Sequence, residues 1–271
     1  AKAIVLEVSS FQLMHMQSFR PRVGVLLNFS PNHLDWHESI EEYLQAKLNM
    51  FRFQQDCDLA VLPLAMKEEL EANEFMQSVK PKRVYYVPSS RFADAPLSGE
   101  HNRANMEAAY LALKAHGLDD DAIGYGVSTF KGLPHRQEKV GLKRGVLFVN
   151  DSKATTIEAL RAAIMDSPGP IRLLAGGVYK GGDLADLTPL MQDKVRAVGL
   201  FGGAEDTFRE AWNGDFDVTW DEHLHEAVKR LKAKAREGDV VLLSPATASF
   251  DQYSNYMARG RDFTRIVEEL A

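Results

Sequence analysis

The sequence predicts an α/β protein of two doubly wound units, and three observations predict it. Short β-branched and aliphatic runs alternate with amphipathic helical patterns along the 271 residues, the mark of parallel strands joined by helices. The alternation breaks at 130–134, where turn residues replace periodicity, and then restarts. The run at 145–149 ends in Asn150-Asp151-Ser152, poor strand formers and good helix caps. Polar side chains are thereby delivered to the carboxyl edge of a sheet, where such folds bind ligands.

In chain order, the pattern predicts a strand over 2–8, leading into Ser9-Ser10-Phe11-Gln12, and a second over 22–28. Ser39 caps a helix with apolar positions Ile40, Tyr43, Leu44, Leu48 and Phe51. Strands follow at 58–62 and 83–87, with a helical stretch over 66–79 between them. A helix from 101 to 116 carries a small-residue face of Ala104, Ala108, Leu111 and Ala112. The break then divides the chain into 1–132 and 133–271. In the second unit, strands are expected at 145–149, 171–175, 196–201, 217–220 and 239–243. Helices are expected at 156–165, 186–194, 205–212, 222–236 and from Ser249 onward. This unit reads as complete. The first begins in mid-pattern, without leader or initiating Met, as part of something longer.

Composition narrows the function. An apolar share of 45% is ordinary for a globular protein with proper cores. The formal charge of −6, from 32 basic and 38 acidic residues, argues against a nucleic-acid or anionic-membrane surface. Cys57 is the single cysteine, so no internal disulfide forms, which suits a cytoplasmic location. No apolar run approaches the roughly 18 residues of a membrane span.

Several residues could carry chemistry. Glu7, at the end of the first expected strand, could coordinate Mg²⁺ carrying phosphate, or be a plain surface carboxylate. His33, in PNHLDWH, could be a metal ligand or proton carrier, or simply a hydrogen-bonded loop residue. Asp35 and His37 add no zinc spacing to it. Lys47 lies four residues after Tyr43 and four before Phe51, beside the apolar stripe of its helix. Its stem could snorkel from there, or its amine could be desolvated and reactive. Asp151 suits a ribose hydroxyl or metal-bound group and Lys153 a phosphate or carboxylate, although a capped βα turn accounts for the stretch equally. Gly176-Gly177-Val178-Tyr179-Lys180 lets backbone approach an anion beside a cation, but it is not GxGxxG. Nor does the chain contain GxxxxGK[ST].

Together these stretches resemble a known family. LEVSSFQL, NFSPNHLDWH, YLQAKLNMF, LSGEHNRANMEAA, GLPHR, NDSKAT, LLAGG-x-x-K and LLSPATASFDQY-x-x-Y-x-x-RG occur in the same order in Mur ligases, over the whole of residues 1–271. The likeness is strongest to the D-glutamate-adding members. It implies the latter part of a central ATP-binding domain in 1–132 and an amino-acid-binding domain in 133–271. It also implies a monomer that adds D-glutamate to UDP-N-acetylmuramoyl-L-alanine in peptidoglycan synthesis, through an acyl phosphate made with ATP and two Mg²⁺. By this resemblance Glu7, His33 and Lys47 hold metal at the reacting phosphate, with Lys47 carbamylated. Asn102 and Asn105 lie near adenine, and Arg136 and Asp151 grip ATP phosphates and ribose. Lys153, Thr155, Lys180, Ser249, Phe250 and Tyr256 bind D-glutamate or line its pocket.

Two departures qualify the likeness. Val178-Tyr179 stands where many members have an Asp in GGDxK, and neither the family's phosphate loop nor its uridine-nucleotide domain is present. The chain alone is therefore expected to be inactive. Other readings are a ligase of the same kind for another amino acid (a second Mur enzyme or a folylpolyglutamate-type enzyme) and a non-catalytic amino-acid-binding paralogue. Glu7, His33 and Lys47 together speak against the paralogue, and the lack of GxGxxG against a dinucleotide oxidoreductase.

Overall fold

A computed structural model describes residues 3–30, 36–97 and 99–270, and the chain divides into two units, Ala1–Lys131 and Gly132–Ala271. Expectations for His33 and Asp35 fall outside the described residues.

In the first unit, β1 (Val23–Val25), β2 (Leu59–Pro63) and β3 (Lys82–Tyr86) form a parallel sheet in that order. Side chains alternate along β2: Ala60 and Leu62 join one apolar cluster, Val61 another. The first cluster takes in Leu13 of α1 (Ser10–Met14), Leu44 and Leu48 of α2 (Ile40–Leu48), Leu70 of α3 (Lys67–Ala72) and Met76 of α4 (Glu74–Ser78). The second is closed by the small-residue face of α5 (Glu100–Ala115), through Ala104, Ala108 and Leu111. A further helix, α6 (Asp120–Thr129), follows.

Two expectations are corrected here, and one helix is added. Residues 3–9 are irregular and exposed, with Ile4 78% and Val5 92% accessible, rather than a strand. The run has strand propensity, but no described strand offers it a hydrogen-bonded neighbour, and an unpaired strand is not stable in water. The helical stretch over 66–79 is two short helices, because Asn73 leaves the helix and accepts from Met76 N at 3.1 Å as the cap of α4. Helix α6 was not expected, since Gly124 and Gly126 dilute its pattern; Asp119 caps it, accepting from Ala122 N at 2.7 Å.

The second unit holds six strands in the order β4-β5-β9-β6-β7-β8. They are β4 (Glu138–Lys143), β5 (Val146–Asn150), β6 (Ile171–Ala175), β7 (Val195–Phe201), β8 (Val218–Asp221) and β9 (Val240–Leu243). All neighbours are parallel except β4, which forms an antiparallel hairpin with β5 through Arg144 and Gly145. Both turn residues have positive φ, 51° and 75°, as a two-residue hairpin turn requires. β4 was not expected, because its alternation is weak and charged.

Both faces of this sheet are covered, which is why its strands read as continuous apolar runs. Val149, Leu173, Val198, Leu200 and Leu242 pack with α7 (Ile157–Asp166), α8 (Thr188–Lys194) and α9 (Glu205–Trp212). Phe148, Leu174, Ala197, Phe201 and Leu243 pack with α10 (Leu224–Lys234) and α11 (Tyr256–Glu269). The last helix does not begin at Ser249. Residues 249–254 turn, Asp251 accepts from Gly203 N at 3.0 Å, and α11 starts only after Asn255 caps it by accepting from Ala258 N at 2.9 Å. No helix among the described residues is long and apolar enough to cross a membrane.

Candidate functional site

The second sheet changes direction between β6 and β9. The chain leaves β6 toward helices on one face and leaves β9 toward α11 on the other, so the two loops diverge at neighbouring strand ends. A crevice at such a switch point is where open α/β sheets take ligands. The loop after β5 joins it, and these loops carry Asp151, Lys153, Thr155, Lys180, Ser249 and Phe250.

Asp151 is 7% exposed and bound on several sides. Its N–H donates to Leu243 O at 2.8 Å, Oδ2 accepts from Ser244 Oγ at 2.9 Å and Oδ1 from Gln137 N at 3.2 Å. Its carboxylate therefore locks the loop after β5 to β9 and to the segment that carries Arg136. That segment is held firmly: His135 and Gln137, on either side of the exposed Arg136, both have left-handed φ, 64° and 46°. Such conformations cost non-glycine residues on the order of 1 kcal/mol each and persist only when surroundings impose them. Here His135 N donates to Glu138 Oε2 at 2.9 Å, His135 O accepts from Lys153 N at 3.0 Å, and Gly260 leaves room for the His135 ring.

Lys153 is half-buried with Nζ 4.3 Å from the centre of the Tyr256 ring, a cation–π contact that brings two expected site residues together. Thr155 is half-buried, Lys180 exposed, and Ser249 almost fully buried at 2% exposure, while Phe250 projects with 72% of its surface accessible. The loops after β6 and β9 pair directly: Val178 N donates to Ala248 O at 2.9 Å and Ala248 N to Val178 O at 3.0 Å. Gly177, at φ 129°, allows this approach, since a Cβ there would strike Ala248 O, and Gly176, at φ 136°, lets the same loop pass Phe201 O at the end of β7. Ala246, at φ 59°, shares the loop after β9.

One residue of this site received no role from the sequence, although it stands in the RG motif. Arg259, on the first turn of α11, has no solvent exposure and reaches the loops after β5, β6 and β9 together. Burial lowers its pKa to about 10, the Asp251 and Tyr253 charges opposing the shift. The signal that could have found it is an arginine in phase with the buried stripe Phe263, Ile266 and Val267.

The first unit has its own cavity, of about 400 Å³, lined by Glu7, Ser9, Ser10, Gln12, Tyr43 and Lys47 among others. Helix α1 is fixed by a capping box between Ser9 and Gln12, and by Ser10 Oγ, 3.0 Å from buried His37 Nε2. Tyr43 is 5% exposed, and the half-buried Lys47 lays Nζ 4.8 Å above its ring. Glu7 and Lys47 thus line one cavity. Asn102 and Asn105 sit one turn apart on α5, the first half-buried and the second exposed. No three His, Cys, Asp or Glu side chains among the described residues group to hold a metal, so a cage made wholly of these side chains does not fit. Glu7 and the serine hydroxyls, hard oxygens in an open cavity, do fit Mg²⁺, which takes one or two carboxylates and completes its shell with water and phosphate.

Comparison with known proteins bears on the family. A model of the Mur ligase middle domain matches residues 1–94, and one described as Mur ligase, glutamate ligase domain, matches 135–247. The chain is 48% identical over 267 residues to a UDP-N-acetylmuramoylalanine–D-glutamate ligase of Lawsonia intracellularis, covering 98% of this chain and 60% of that protein. It is 46% identical over 271 residues to the same-named protein of Desulfovibrio desulfuricans, covering 100% and 62%. It therefore spans about three-fifths of the length of these relatives. In fold it matches a MurF ligase of Thermotoga maritima in complex with ADP, with a TM-score of 0.67 at 18% identity, over 93% of this chain and 64% of that one. Two domain models in order and near-half identity along its length leave one conclusion: the chain belongs to the Mur ligase family.

Proposed function

We propose that the protein carrying this sequence is an ATP-dependent ligase that adds D-glutamate to UDP-N-acetylmuramoyl-L-alanine. The observation that carries this reading is the 48% identity along 98% of the chain to a D-glutamate ligase. In this reading ATP phosphorylates the L-alanine carboxylate, the D-glutamate amine attacks the acyl phosphate, and an amide, ADP and phosphate result. The protein is a monomer of the cytoplasm, and its product serves peptidoglycan synthesis and so cell shape and division.

The residues fall into two groups. Asn102 and Asn105 face adenine, while Arg136 and Asp151 serve the phosphates and ribose. Asp151 does so from a loop its own hydrogen bonds to Ser244 and Gln137 keep in place. Lys153 and Lys180 supply positive charge for the D-glutamate carboxylates, and Thr155, Ser249, Phe250 and Tyr256 line its pocket. Glu7, Lys47 in carbamylated form and His33 would hold Mg²⁺, which when bound neutralises charge on the transferring phosphoryl group.

The test is ADP release by the whole protein with UDP-N-acetylmuramoyl-L-alanine and a panel of amino acids. Release with D-glutamate, and not with L-glutamate, L-lysine or D-alanine, is expected. Release driven by another amino acid would reassign the substrate, and D-glutamate binding without ADP release would favour the non-catalytic paralogue.

A further inference from the structure

His37 is a polar ring in an apolar stack. It is 2% exposed, and its ring centre lies 5.6 Å from that of Phe11, nearly parallel at 14°, and 5.0 Å from that of Tyr43. Nε2 is 3.0 Å from Ser10 Oγ, itself 2% exposed, while Nδ1 is buried with no hydrogen-bond partner among the described residues. A phenyl ring would fill the same stack without leaving a nitrogen unpaired, and an orphaned buried polar atom costs free energy. Packing therefore does not call for histidine here. Its one polar contact does.

The orphan nitrogen also sets the direction of that contact. A neutral imidazole carries one proton, and buried N–H groups without an acceptor are rare. The proton thus belongs on Nε2, which donates to Ser10 Oγ. The Ser10 hydroxyl then turns its own proton away from His37, toward the cavity of about 400 Å³ that Ser10 lines with Glu7, Gln12, Tyr43 and Lys47. We propose that His37 is a positioning residue: it fixes the Ser10 hydroxyl as a hydrogen-bond donor to an anionic oxygen of the ligand in this cavity. In this role Ser10 faces the ligand rather than a cation, and Glu7 and Ser9 remain as hard oxygens for Mg²⁺. The inference deepens the ligase reading and takes from it only that the ligand is the reacting carboxylate or the acyl phosphate made from it.

The test compares His37→Phe, which keeps the ring and loses the N–H, with His37→Gln, which loses the ring and keeps an N–H near the place of Nε2. In ADP release by the whole protein with D-glutamate, His37→Phe is expected to lower kcat about 10-fold, the worth of one hydrogen bond, with KM for ATP unchanged. His37→Gln should stay within about 3-fold of wild type, although it melts lower than His37→Phe because it leaves the stack. Ser10→Ala should lose as much as His37→Phe, and the double variant no more than either. Activities that follow the melting temperatures, or losses that multiply in the double variant, would show a merely structural role and overturn the proposal. The 271-residue chain gives a reading that needs no ligase activity. Its magnetic resonance spectrum of ring nitrogens should show the His37 proton on Nε2, and Ser10→Ala should move that resonance. A proton on Nδ1, or an unmoved resonance, overturns the proposal whatever the substrate. If the whole protein releases no ADP with any amino acid, the ligase reading fails and this spectrum alone decides the inference.

Discussion

At Asp58 the chain combines burial with charge. The side chain is 3% exposed, and Oδ2 accepts from Arg20 Nε and Gln55 N, each at 2.7 Å. The Arg20 hydrogen bond is the main reason its carboxyl is held below the usual range, against the opposing pull of burial. Because the folded pKa is depressed, the ionised form stabilises the fold above the unfolded value near pH 4, and the contribution is lost as pH falls. Asp58→Asn is therefore expected to be less stable than wild type to urea at pH 7, with the gap closing below about pH 4. Arg20 is half exposed, so solvent screens the pair and the effect is modest. A gap that does not change with pH would mean that packing, not charge, is what Asp58 contributes.

Among the elements, α11 bears the most on the candidate site, since it presents Tyr256 at its start and Arg259 one turn later. Its position depends on Asn255, whose side chain accepts from Ala258 N. Asn255→Ala should destabilise the second unit by about 1 kcal/mol, and Asn255→Asp much less. Equal losses, or none, in denaturant melts would show that tertiary packing alone places this helix.

This helix also marks where the sequence was hard to read. Ser249 and Asp251 look like a cap followed by a first turn, but Asp251 accepts from Gly203 N in the loop after β7, and the helix begins seven residues later (249 to 256). The buried strands of the second unit were legible because both faces are covered, so 171–175, for example, is apolar save for Arg172, which has Asp239. Strand β4 was not, since it lies at the sheet edge with a polar face and pairs through a turn of Arg144 and Gly145. The run at 3–8 has strand composition but no partner strand among the described residues, and no local pattern reports that.

At the scale of the molecule, strand order decides what local reading cannot. β9 lies between β5 and β6, and this brings Asn150-Asp151-Ser152-Lys153, Gly176-Gly177 and the loop from Ser244 to one edge although they lie up to 94 residues apart in sequence (150 to 244). The motifs were visible one by one as strand ends followed by caps or glycines. Their convergence followed from the family resemblance, and the burial of Arg259 among these loops only from the structure. If the proposed function holds, this edge of the second sheet binds the amino acid. The most direct measurement is a titration of the isotope-labelled chain with D-glutamate, following backbone amides, with L-glutamate as control. Shifts concentrated in 151–156, 176–182 and 244–256, stronger for the D-enantiomer, are expected. Equal responses to both enantiomers, or shifts confined to the opposite edge around Arg172 and Asp239, would contradict it.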